Sequence, residues 1–325
     1  ADESSTVSGA LSHSADITID VADNKTLTYS GTAISLGANT LTLSGGGRLS
    51  NSNALELNNA SSKLLLSNSI TLDNVSTSAN SLGIDVDNNS TITSLSVANI
   101  TPVSIASGRT LSGAITVSAG GSLKLNETGT LASTIAMSGG ILDADNSLTV
   151  SGTLTQSGNI EIDVADNKTL TYSGAAISLG ANTLTLSGGG SLVSGGLTLN
   201  NADSKLLLNS ITVDNVSTTS DSLGLDVDNN STVTSLSVGH ITPVSIASGK
   251  TLTGAITVTA GSLKLNETGT LASTIAMSGG VLDADESSTV SGALSHSADI
   301  TIDVADNKTL TYSGTAISLG ANTLT

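Results

Sequence analysis

Asp20-Val-Ala-Asp-Asn-Lys-Thr-Leu-Thr-Tyr-Ser-Gly31 returns unchanged at Asp163–Gly174 and again at Asp303–Gly314. The copies start 143 and then 140 residues apart, and self-similarity at a fixed long period marks a repeat architecture. Inside and after the stretch, polar and apolar residues alternate. Thr26-Leu-Thr-Tyr-Ser30 is closed by Gly31, Ala33-Ile-Ser-Leu36 by Gly37, and Thr40-Leu-Thr-Leu-Ser44 by Gly45-Gly-Gly47. Alternation over four or five residues followed by a turn residue reads as a half-buried strand. No apolar stripe of helical period survives, and glycine recurs too often for helices. At Arg48-Leu-Ser the pattern of three strands and three turns begins again.

The chain divides into unit A (1–143), unit B (144–283) and the opening of a further unit A (284–325). Residues 284–325 are identical to 1–42, whereas 144–185 differ from 1–42 at nine positions, among them Glu3/Asn146, His13/Gln156 and Thr18/Glu161. An alternating array that opens without Met and stops mid-pattern reads as an excerpt of a longer continuous solenoid.

Leu27, Leu49, Ile70, Ile92, Leu111, Leu131, Leu148 and Leu170 form one series of equivalent apolar positions, so seven coils of about 20 residues fill a unit. That length predicts an all-β fold, a single-stranded parallel β-helix or β-solenoid with each strand on its equivalent in the next rung. About sixteen rungs, ~4.8 Å apart, would make an elongated rod. The two units act as an internal test of facing. Leu72/Val213, Ile84/Leu225, Ile92/Val233 and Ile141/Val281 exchange conservatively and are assigned inward. Thr18/Glu161, Arg48/Ser191 and Asn99/His240 exchange freely and are assigned outward. Ser5/Leu148 departs from this rule. The three one-residue deletions that shorten unit B fall near Asn53, Ser67 and Gly120, in turn-like sequence, where insertions and deletions are tolerated.

Composition narrows the function. Aromatic residues are 1% of the chain, with 3 Tyr, 0 Trp and 0 Phe, and mean hydropathy is +0.22. The chain is therefore neither aromatic-cored nor compositionally disordered. With 27 acids against 10 bases the net charge is −17, which repels nucleic-acid phosphates and anionic lipid. Zero cysteine excludes disulfides and thiolate chemistry. No apolar run approaches the ~18–20 residues of a spanning helix, so no membrane insertion is expected in this segment.

Paired carboxylates are the first chemical candidates. Asp85 and Asp87, Asp226 and Asp228, and Asp143 and Asp145 stand at i, i+2, hence on one strand face, and could supply two or three Ca²⁺ ligands. Neither an EF-hand loop nor a glycine-aspartate nonapeptide is present. The reading preferred is that Asp and Asn bond their own turns, with no cofactor and no metal. Outward pairs Thr26/Thr28, Thr40/Thr42, Thr169/Thr171 and Thr183/Thr185 suit strands; stacked, such pairs resemble the ice-binding face of some solenoid antifreeze proteins, but only some rungs carry one. Sequons at Asn24, Asn59, Asn74, Asn99 and Asn126 leave glycosylation open. His13 becomes Gln156 and His240 corresponds to Asn99 in the sister units, so no nucleophile–histidine–acid set recurs. The chain reads as a non-enzyme, with no catalytic residue.

Short L-T-L-S-G-G strands, absent cysteine, abundant Ser, Thr, Asn and Gly, and long tandem units resemble the passenger regions of large bacterial surface adhesins, namely autotransporters and filamentous-haemagglutinin-like exoproteins. The resemblance spans the chain and rests on pattern. It implies a right-handed parallel β-helix, secretion to the extracellular cell surface, and adhesive or filament-forming roles. The strict hexapeptide of left-handed forms is missing. The expected function is a structural surface stalk or filament with adhesion, its partners neighbouring copies or further repeats of the same chain and surface glycans. A carbohydrate- or host-binding adhesin is the alternative, and a polysaccharide lyase a more distant one.

Overall fold

A computed structural model describes all 325 residues, Ala1–Thr325. It contains forty strands and no helix, hence no helix long and apolar enough to cross a membrane. Two compact units appear, Ala1–Gly174 and Ala175–Thr325. Each is a parallel β-solenoid.

One turn follows directly from the alternation in the sequence. Thr40–Ser44 lies in a narrow sheet, with Leu41 and Leu43 buried and Thr40, Thr42 and Ser44 outward. The Gly45-Gly-Gly47 corner leads to Arg48–Asn51 and Leu55–Leu57, two short strands of a wide sheet. A second corner at Asn58–Ser62 returns the chain to the narrow sheet at Lys63–Leu66. This turn therefore presents three short strands. The narrow sheet has eight strands in the first unit and seven in the second. Fifteen turns replace the sixteen expected, and the rise from Leu27 to Leu170 takes the seven anticipated steps.

Inward residues stack on inward residues. In the narrow sheet Leu41, Leu64 and Ile84 form one column and Leu43, Leu66 and Val86 the next, every member at most 1% exposed. The wide sheet buries its own inward residues, among them Leu49, Leu72, Leu111, Leu131, Ile115 and Ile135. A buried Leu, Ile or Val contributes about 1.5–3 kcal/mol, and no turn can bury its own column without a neighbour above and below.

The internal test holds at Leu72/Val213, Ile84/Leu225 and Ile92/Val233, all at most 2% exposed. It fails at Ile141/Val281: both point outward, and the next residues, Leu142 and Leu282, fill the core. The rung series also needs correction. Leu49 pairs with Leu72 rather than Ile70, Leu131 pairs with Val150 rather than Leu148, and Leu111 pairs with Ser90 rather than Ile92. Each error is a shift of two residues. A two-residue slip leaves facing unchanged, so the series stayed on the inner wall while losing register.

Just beyond Ile92 the ladder is irregular. In the turns Ser90–Val97 and Thr110–Val117 the two wide-sheet strands fuse, and the pairing shifts between Ile92 and Ser94. Gly113 sits opposite, at φ 124°, where a Cβ would lie 1.8 Å from the Ile92 carbonyl oxygen. Only glycine fits that approach. The deletion points Asn53, Ser67 and Gly120 all lie outside strands. Ser5 departs from the Leu148 pattern because a hydroxyl serves there as well: its copy Ser288 is 4% exposed and donates to the Glu267 and Glu286 carbonyls at 2.8 and 3.1 Å.

Candidate functional site

The repeated twelve-residue stretch is a turn, a strand and a corner. Lys25 N–H closes the turn on the Ala22 carbonyl at 3.0 Å, with Asn24 left-handed at φ 61°; Asn167 and Asn307 repeat this at 59° and 62°. Asparagine tolerates that conformation better than most side chains. Thr26 and Thr28 are half-exposed, and in the second copy Leu170 is 1% exposed between Thr169 and Thr171. Tyr29 turns inward, 3% exposed, and its hydroxyl accepts the Leu11 N–H at 2.9 Å. Tyr172 does the same for Leu154 at 2.9 Å and Tyr312 for Leu294 at 3.1 Å. A Cβ on Gly31 would stand 2.5 Å from the Tyr29 hydroxyl and 2.4 Å from the Gly9 oxygen. The chain's only tyrosines thus join two turns at one corner. The Tyr-Ser-Gly order at 29–31, 172–174 and 312–314 is the signal of this corner in the sequence.

The candidate Ca²⁺ ligands project from the narrow sheet, and lysines one turn earlier meet them. Lys63 Nζ is 2.5 Å from Asp85 and Lys205 contacts Asp226. Lys124 reaches both Asp143, at 2.9 Å, and Asp145, at 2.8 Å; Lys264 repeats this with Asp283 and Asp285. Asp87 and Asp228 are exposed, just beyond the strand ends. No group of three or more His, Asp or Glu side chains is placed to enclose a metal ion. Burial pushes the Asp143 carboxyl above the ordinary aspartate range; its bond to Lys124 opposes this, and the Asp145 and Asp163 charges add to it. For Lys124, burial works downward but is outweighed by the hydrogen bonds to Asp145 and Asp143, so the ammonium ends above its usual value. In Lys264 the Asp285 and Asp283 hydrogen bonds dominate and raise it likewise.

Most other Asp and Asn side chains at the corners stitch one turn to the next. Thr40 N–H donates to Asp16 Oδ1 at 2.7 Å, Gly46 to Asp23 at 2.9 Å, Gly37 to Asn58 at 2.9 Å, Ile100 to Asn80 at 3.1 Å and Thr110 to Asn89 at 3.0 Å. The second unit repeats the scheme with Asn200, Asp221, Asn230 and Asp299. One amide pair is internal: Asn51, 1% exposed, donates to the Asn74 carbonyl and Asn74 to the Asn51 carbonyl, both at 2.7 Å. The Asn74 sequon amide is therefore engaged, whereas Asn24 and Asn59 are exposed and Asn99 and Asn126 half-buried.

The remaining candidates do not converge. Thr42 pairs with Thr18 on one side and Leu65 on the other, and Thr40 faces Lys63, so the threonine pairs form no uniform array. His13 and His296 direct Nδ1 to the Ala15 and Ala298 carbonyls, and His240 lies 3.8 Å from Asp221 on the surface. A groove of about 510 Å³ crosses stacked corners at Asp23, Asn24, Gly46, Asn68, Ser69 and Asn88.

No family model, no curated protein and no solved structure matches the chain.

What the arrangement does chemically is hold turn to turn: carboxylates and amides accept backbone N–H groups, and lysines bridge outward acids.

Proposed function

We propose that this chain is the structural body of an extracellular surface stalk or filament, a β-solenoid whose polar chemistry is committed to its own assembly, and that it is not an enzyme. One observation carries the reading. Side chains that would recruit a ligand or metal, from Asp16, Asn58, Asn80 and Asn89 to the Asp143–Lys124–Asp145 set, bond across to neighbouring turns. Zero cysteine suits a chain that crosses a membrane unfolded, and the adhesin-like sequence pattern supports secretion. Antibody labelling of intact source cells, with micrographs of the labelled surface, tests this: label on projecting structures is expected, and label reached only after lysis overturns it.

A second reading, an adhesin whose repeats bind surface glycans directly, is favoured by the polar groove at Asp23, Asn24, Asn68, Ser69 and Asn88. Amides and hydroxyls without a cationic side chain suit neutral sugars over acidic ones, and a chain of −17 repels polyanions. Glycan-array binding lost on Asn68→Ala would support it.

A further inference from the structure

Eight large apolar side chains reach solvent; Val7, Val193, Val304 and Leu319 do so apart from the rest, and the other four form two matching pairs, one in each unit. Leu82 and Ile100, 56% and 45% exposed, lie on successive turns of the first unit, where Ser81 N–H donates to the Ile100 carbonyl at 3.3 Å. Leu223 and Ile241 repeat them at 52% and 46% in the second. Beside each pair stands one of the chain's two prolines, Pro102 or Pro243, outward on the same strand. Ile100 continues through Ser122 to the outward Ile141, and Ile241 through Ser262 to Val281. Leu65 and Leu207 add further outward leucines. On the wide sheet the outward residues from Ser94 to Thr155 are Ser, Thr and Ala, and its exposed valines, Val7 and Val193, form no repeated pair. Exposed apolar side chains gathered on one face call for a partner.

Charge around the patch says which partner. Register sets Lys63, Gly83, Pro102, Lys124 and Asp143 in one outward column, Pro102 falling opposite Gly83 by continuation from the Ile84–Val103 pair. A two-fold axis at the Pro102 row would lay the Lys63–Asp85 pair of one copy against the Lys124–Asp143 pair of another, cation to carboxylate, with the apolar residues between. Lys205, Gly224, Pro243, Lys264 and Asp283 repeat this order. An apolar centre with a self-complementary charged rim is the anatomy of an isologous interface. We infer that the narrow-sheet face centred on Leu82, Ile100 and Pro102 docks a second copy of this chain, antiparallel, face to face. This rests on the structural reading above and gives it the surface on which copies meet.

The experiment is sedimentation velocity on the full 325-residue chain across a concentration series. Wild type should show a concentration-dependent dimer, weakened by K63E and by raised salt. The variant L82S/I100T/L223S/I241T should need at least a tenfold higher concentration to dimerise, with unchanged far-UV circular dichroism. Because the chain holds no cysteine, S104C on the narrow sheet reports independently: it should oxidise to a disulfide dimer, and T116C on the wide sheet should not. If the quadruple variant fails to fold, the two cysteine variants decide alone. A wild-type monomer throughout, a dimer indifferent to the quadruple substitution, or preferential T116C cross-linking would each overturn the inference. A monomer that still labels on the cell surface would do so while leaving the proposed function standing.

Discussion

At the scale of single residues, a glycine and a tyrosine fix a corner that the leucine columns do not reach. Gly174 has no room for a methyl group, because backbone oxygen of Gly152 and the Tyr172 ring flank it. G174A is expected to cost about 1–3 kcal/mol, as overpacking against rigid neighbours does, read as a lower urea midpoint. Y172F keeps the ring and removes the acceptor for Leu154 N–H; an unmet buried donor costs about 1–3 kcal/mol, and an unchanged midpoint would refute that role. Facing can be tested by adjacent residues. Leu41→Asp buries an unpaired carboxylate and should abolish protease resistance, whereas Thr42→Asp, one residue on and facing outward, should retain it.

At the scale of elements, the outward lysines govern how neighbouring strands tolerate like charge. Lys124 is raised, so its contribution to stability is present below the ordinary lysine range and fades as pH climbs through the raised value. Asp143 is raised too, so the folded state binds that proton more tightly; its contribution is largest in acid and is lost as pH rises through the raised carboxyl value. With Lys124 in place the ionised carboxylate is compensated at neutral pH. K124M removes that compensation and leaves burial, Asp145 and Asp163 acting together. Its urea midpoint should fall below wild type at pH 7, and the gap should narrow toward pH 4. An equal gap at both pH values would show that Lys124 contributes only packing.

At the scale of the whole molecule, nearly every hydrogen bond outside a turn joins residues about twenty apart, on successive rungs. A peptide spanning one turn, such as 26–49, has the strands but no neighbours to pair with and should show no β circular dichroism, while the full chain does. Divalent cation is not required by the corner and lysine bonding, so EDTA should leave the melting temperature of the full chain unaltered. A fall on chelation, restored by Ca²⁺, would reassign Asp85, Asp143 and their copies as ligands.

The strand alternation at Thr26–Tyr29 and Thr40–Ser44, the seven coils between Leu27 and Leu170, and the turn positions at Asn53, Ser67 and Gly120 were all legible in the sequence. Each is a local consequence of period-two patterning and turn chemistry. Register was not, because shifting Leu72 to Ile70 or Val150 to Leu148 preserves which face is buried. The sequence likewise placed Asp85 and Asp143 outward without disclosing that Lys63 and Lys124, about twenty residues earlier, meet them. Tertiary structure alone decided those pairings, the outward turn of Ile141, and the exposure of Leu82 and Ile100 on one face. The physical reason is that contacts between rungs depend on where each corner releases the chain. Corner length and bonding set that position, and alternation is blind to both.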